Sequence, residues 1–165
     1  MINSIPARLL LLCALLTPLL GSPSEEAAPA GFGLWTAKSV SPLLADMLAE
    51  APSDPHQFAV RQLADYPNDA LMLVHRAADG PVEWHETQVD VFFVKSGSAT
   101  LVLGGKLLNG ETVGPREKRN GSIEGGFRCK ITAGDVVRIP ARVPHQLLLE
   151  GSGPLDYFVV KVKGY

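Results

Sequence analysis

From Gln57 onward the chain alternates apolar and polar residues in short runs, each closed by glycine, proline, asparagine or serine. Alternation with a period of two marks strands that bury one face. The runs predict strands at 57–63, 70–77, 82–86, 90–95, 99–103, 127–132, 136–139, 146–150 and 156–162. Turn chemistry separates them: 66–69 reads YPND, Asp79-Gly80 is a hairpin-type turn, and Ser96-Gly97-Ser98 is tight. Short strands at this spacing predict an antiparallel sandwich or barrel. The pattern changes before Gln57. Leu43, Leu44, Met47 and Leu48 recur at helical spacing. Ser41 and Pro42 read as a cap followed by a first-turn proline, so one short helix is expected over 41–50, lying outside a sheet. Pro52 and Pro55 stop it. The glycine-rich segment 104–126 shows no period and is expected to be a long loop, read equally as functional or as a plain surface excursion.

The first residues follow a different logic. Arg8 precedes a continuous apolar run, 9–16, which resumes at Leu19 and Leu20 and gives way to Gly21, Ser22, Pro23 and Ser24. A basic flank, a short apolar core and a small-residue exit are expected of a secretory signal peptide. The run is too short for a spanning helix, which needs roughly 20 apolar residues. A signal over 1–21 is therefore expected, with cleavage between 21 and 30, then a flexible tether over 22–34 and one domain over 35–165. That predicts a secreted or periplasmic protein with no membrane association once the signal is gone. Cys13 lies in the apolar run, which leaves Cys129 as a lone thiol that cannot form an internal disulfide. It sits in a strand pattern and reads as a small buried hydrophobe.

A chain of 165 residues with a formal charge of -2 can bury a real core and offers no electrostatic footprint for nucleic acid. The basic run 116–119 is interrupted by Glu117 and reads as a solvated face. No Gly-x-Ser-x-Gly elbow, phosphate-cradling loop or His-Glu-x-x-His helix is present. The residues that carry chemistry lie in two stretches instead. Alternate strand residues share a face, roughly 6.6 Å apart, so Glu83 and His85 point together and Trp84 points away. Asp90 opens the next strand, with Phe92 and Val94 on its face. His145 starts another, with Leu147 and Leu149 beside it. If these strands are neighbours, two imidazoles and two carboxylates meet within an apolar wall. That donor set suits Mn, Fe(II), Ni or Zn, and a cation would offset the cost of burying two carboxylates. Competing readings stand beside it. Glu83 could turn to solvent, Asp90 could bond a turn amide, and Glu86 or Gln88 could substitute in another register. His75 reads as structural and His56 as a surface loop residue. Arg138 and Arg142 read as surface groups, with an anionic ligand at the mouth as the alternative. Trp84, Phe92 and Tyr157 read as packing.

These stretches resemble the two signature motifs of the cupin superfamily, small β-barrels of the double-stranded β-helix (jelly-roll) type. In the first motif His85 takes the second histidine position, and Asp90, six residues and Gly97 match its second half. In the second, Gly134, Pro140 and His145 fall in place without a gap. Glu83 stands at the first histidine position, Asp90 at the glutamate, Arg142 at a glycine and Leu149 at the terminal asparagine. The resemblance covers about 70–162. It implies an all-β cupin barrel with one short N-terminal helix and a divalent metal held by Glu83, His85, Asp90 and His145. It also implies a small-molecule ligand or substrate, oxygenase- or isomerase-type chemistry if the protein is an enzyme, and a homodimer. The alternative is a non-catalytic module that binds a small ligand without metal.

Overall fold

The computed structural model describes residues 27–165. The expected signal segment, Cys13 and the first part of the tether lie outside the described residues. Residues 27–34 carry no helix or strand, and Gly33–Tyr165 forms one compact unit. Among the described residues no helix is long and apolar enough to cross a membrane.

Among the described residues the single α-helix, α1, runs Ala37–Glu50, a turn earlier than its sequence suggests. Thr36 is the cap: its side chain accepts from Ser39 N at 3.2 Å. Ser41 is inside the helix and donates back to Ala37 O at 2.8 Å, and Pro42 follows it within the helix. With Thr36 already starting the helix, Pro42 forfeits one backbone bond and does not set the boundary. The buried face is Val40 and Met47, with Leu43 and Leu44 partly covered, packed on Ala59 and Leu73. Leu48, expected on this face, is 58 % exposed.

The strands are β1 (Phe58–Asp65), β2 (Asp69–Arg76), β3 (Glu83–His85), β4 (Gln88–Ser96), β5 (Ser98–Leu103), β6 (Lys106–Leu108), β7 (Glu111–Gly114), β8 (Glu117–Arg119), β9 (Ser122–Glu124), β10 (Phe127–Thr132), β11 (Val136–Ile139), β12 (His145–Leu148) and β13 (Leu155–Lys163). The expected loop 104–126 is corrected by β6 to β9. These strands are three or four residues long, too short to show a period, and they exist by pairing: β6 with β9, β7 with β8, and β8 with β3. One sheet has the order β1-β2-β13-β4-β11 and another β10-β5-β12-β3-β8-β7, with β6-β9 a separate pair. Alternate residues of both larger sheets meet in one apolar core, among them Val74, Phe92, Leu101, Ile139, Leu147 and Tyr157. The described residues are thus mostly β with one short helix, built as two facing sheets. Hydrogen bonds do not close them into a continuous barrel.

Two positions show how the turns are specified. Gly97 joins β4 to β5 at φ +81°, and a Cβ there would lie 2.1 Å from Pro154 O, so only glycine fits. His75, on the outer face of β2, holds Asp156 Oδ1 at 2.7 Å, while Ser96 Oγ donates to Asp156 Oδ2 at 2.6 Å. His75 thus ties β2 to β13 through Asp156, while its Nε2 is buried without a hydrogen-bond partner among the described residues.

Candidate metal centre

β3 presents Glu83 and His85 on one face, and β12 sets His145 directly opposite Glu83. Asp90 arrives from β4 in the facing sheet. The site is therefore assembled across the core, with only β3 and β12 adjacent. One donor atom from each of Glu83, His85, Asp90 and His145 lies within 4.8 Å of the others. His85 Nε2 is 3.5 Å from Glu83 Oε2 and 3.4 Å from Asp90 Oδ2, and His145 Nε2 is 3.6 Å from Asp90 Oδ2. Glu86 and Gln88 stay outside the cluster, although Gln88 reaches the cavity wall beside it.

The two imidazoles differ in their surroundings. His145 Nδ1 lies 3.1 Å from Val143 O, which favours the tautomer with its proton on Nδ1. Its Nε2 is buried among the donors, 3.6 Å from Asp90 Oδ2, and makes no hydrogen bond among the described residues. Buried polar atoms are almost always satisfied, so this nitrogen is open to a further partner among the converging donors. His85 Nδ1 faces Glu117 at 3.8 Å. Burial works against a charge on His85, but the Asp90 and Glu83 carboxylates outweigh it, so its pKa is raised despite opposition from Lys161.

Three charged residues that the sequence reading misses complete the site. Lys161 of β13 is in register with Asp90 of β4. Its ammonium donates to both carboxylate oxygens at 2.9 Å and lies 3.1 Å from His85 Nε2. Arg119 of β8 sits opposite Glu83; its Nη1 is 3.3 Å from Glu83 Oε2, and its Nε and Nη2 donate to Glu117 Oε1 at 2.9 and 2.6 Å. The run 116–119 is thus not simply a solvated face, because Glu117 and Arg119 alternate inward. Burial raises the carboxylate pKa values here, and the surrounding cations and imidazoles reverse this. Glu83 is lowered to about 2, chiefly through His85 and Arg119. Asp90, 2 % exposed, is held well below the usual carboxylate range by His145, His85 and Lys161.

A cavity of about 420 Å³ opens onto this cluster, with Glu83, Asp90, Arg119 and Lys161 at its polar end and Phe58 and Val159 among its apolar walls. Tyr157 also lines it, and burial pushes the phenol pKa up to about 12, so it stays neutral.

The two motif stretches are tied together by backbone. Arg142 N donates to His85 O at 2.7 Å, and Arg142 adopts φ +65°, a left-handed conformation that suits glycine. This explains why its position resembles a glycine site. Arg142→Gly is expected to raise stability by about 1 kcal/mol, seen as a higher urea midpoint at unchanged slope.

A two-His, two-carboxylate set with an orphaned imidazole nitrogen fits a borderline divalent metal. The fit carries a condition, because Lys161 already neutralises Asp90. A divalent ion about 4 Å from an ammonium meets a repulsion of roughly 8 kcal/mol at an effective dielectric near 20. Lys161 would therefore compete with a metal for Asp90.

No protein-family model matches the chain, and no curated protein sequence does. Two solved structures are similar in shape. The cupin domain of Schizosaccharomyces pombe Cnp3 is 13 % identical with a TM-score of 0.50, covering 68 % of this chain and 70 % of that one. TT1209 of Thermus thermophilus is 16 % identical with a TM-score of 0.50, covering 72 % of this chain and 93 % of that one. Together with the two facing antiparallel sheets, this likeness shows that the chain has the fold of the cupin superfamily.

Proposed function

We propose that the protein binds one divalent metal through Glu83, His85, Asp90 and His145, at the polar end of a cavity that takes a small organic ligand. The observation that carries this reading is His145 Nε2, buried, unpartnered and convergent with three other donors. Val143 O orients that nitrogen, Arg119 holds Glu83 in place, and Phe92 and Tyr157 help keep water from the inner wall. Mn, Fe(II), Ni and Zn are the ions the donor set accepts. Bound there, such an ion would supply Lewis-acid charge to a ligand oxygen. Oxygenase- or isomerase-type chemistry is the class that the family resemblance suggests. The apolar run after Arg8 supports export, so the site would load its metal outside the cytoplasm.

A specific observation favours a second reading. The Lys161 ammonium supplies positive charge to Asp90 without any metal. On that reading the protein is a metal-independent ligand-binding module.

Calorimetric titration of EDTA-stripped protein with Mn, Fe(II), Ni and Zn separates the two. One equivalent of at least one ion should bind saturably. At a free concentration 100 times Kd the fold should gain about 2.7 kcal/mol. No saturable binding of any of the four would leave only the metal-independent module.

A further inference from the structure

Arg76 ends β2 on the same inward face as Met72 and Val74. It is 3 % exposed, with its guanidinium carbon 4.7 Å from the centroid of the Phe58 ring. Its Nε and Nη1 are buried without a hydrogen-bond partner, and no carboxylate among the described residues pairs with them. Arg119 is the contrast, an arginine held by both Glu83 and Glu117. A buried guanidinium left without an anion is strongly unfavourable, and arginine is the side chain best shaped to grip a carboxylate.

Arg76 is also a wall of a second cavity, of about 270 Å³, together with Asp54, His56, Phe58, Arg119 and Asn120. Phe58 and Arg119 line this cavity and the one at the metal centre alike, so the two adjoin. The charges favour a single negative group. Arg119 is satisfied by its two glutamates, and Asp54 Oδ1 accepts from His56 N at 2.8 Å while adding one negative charge of its own. That leaves too little positive charge for a dianion, but the Nε and Nη1 donors of Arg76 remain free.

We propose that Arg76 anchors a second subsite, which takes the carboxylate of a small organic acid whose remaining atoms pass Phe58 toward the larger cavity. This subsite does not depend on a metal at Asp90, so it is tested in EDTA and stands or falls apart from the metal reading.

The test is an amide and arginine Nε–H NMR titration of the full chain with sodium acetate, propionate and benzoate, against sodium chloride at matched ionic strength. Saturable shifts at Arg76 and Asn120 are expected for a carboxylate and not for chloride. Arg76→Met should weaken binding at least about tenfold. Gly80→Ala tests geometry at unchanged charge: a Cβ at this position would lie 3.0 Å from Arg76 Nη1 and 3.1 Å from its Cζ, so the flexible guanidinium is displaced. It should weaken binding about as much, and it carries the test if Arg76→Met does not fold. Arg61→Gln, remote from both cavities, should bind as the wild type does. Shifts no different from those with chloride, or affinity unchanged in both Arg76→Met and Gly80→Ala, would overturn the proposal. So would inorganic phosphate binding tighter than every carboxylate. A lower melting temperature for Arg76→Met with unchanged acetate binding would mark a purely structural arginine and also refute it.

Discussion

Lys161→Met is expected to weaken the metal-free fold by about 3 kcal/mol and, in the same protein, to tighten divalent metal binding at least about tenfold. Both effects come from one ion pair. Asp90 is almost fully buried, and Lys161 is the cation that its two oxygens share. Replacing lysine by methionine keeps an unbranched apolar stem along the cavity wall and strands the carboxylate, which is the costly way to break a buried pair. The same change removes the charge that an incoming ion must repel. Urea unfolding in EDTA reads the first effect and calorimetry reads the second. Stability should return to the wild-type range once metal is added in excess, because the ion then neutralises Asp90. A variant that is destabilised in EDTA and gains no metal affinity would show that Lys161 neutralises Asp90 without competing with a metal.

His145→Ala acts in the opposite sense. It removes the nitrogen that has no other partner, and metal affinity should fall at least about 100-fold, since even outer-shell partners of metal ligands are worth roughly 10- to 100-fold. The metal-free fold should lose about 2–3 kcal/mol, for the buried ring as well as the hydrogen bond to Val143 O. His56→Ala, whose imidazole lies outside the cluster, should leave metal affinity unchanged. Equal losses from both variants, measured by competition with a metal indicator, would remove His145 from the ligand set.

Most of the fold is legible in the sequence because alternation in long strands is a strong signal. The spacing from Asp90 to Gly97 spans most of β4 and its turn, and the Pro154 carbonyl explains why that turn demands glycine. The four candidate ligands are legible too, since residue type and strand face together place Glu83, His85, Asp90 and His145 inward. The rest is hidden for physical reasons. Strands β6 to β9 are too short to carry a period and form through their partners. The start of α1 is obscured because Ser41-Pro42 imitates a cap that Thr36 provides. Lys161 and Arg76 escape notice because a charged residue in a strand is ordinarily read as surface. Their signal is nevertheless present. Leu155, Tyr157, Val159 and Lys161 share one face of β13, and Met72, Val74 and Arg76 share one face of β2. A charge that continues an apolar face is a charge directed at the core.

The most direct measurement is elemental analysis of the full chain purified without a metal-affinity tag, alongside His145→Ala prepared identically. About one equivalent of Mn, Fe, Ni or Zn per wild-type chain is expected, and almost none in the variant. Wild-type protein that carries no stoichiometric metal, and takes up none on dialysis against each ion, would contradict metal binding and leave Lys161 as the cation that neutralises Asp90.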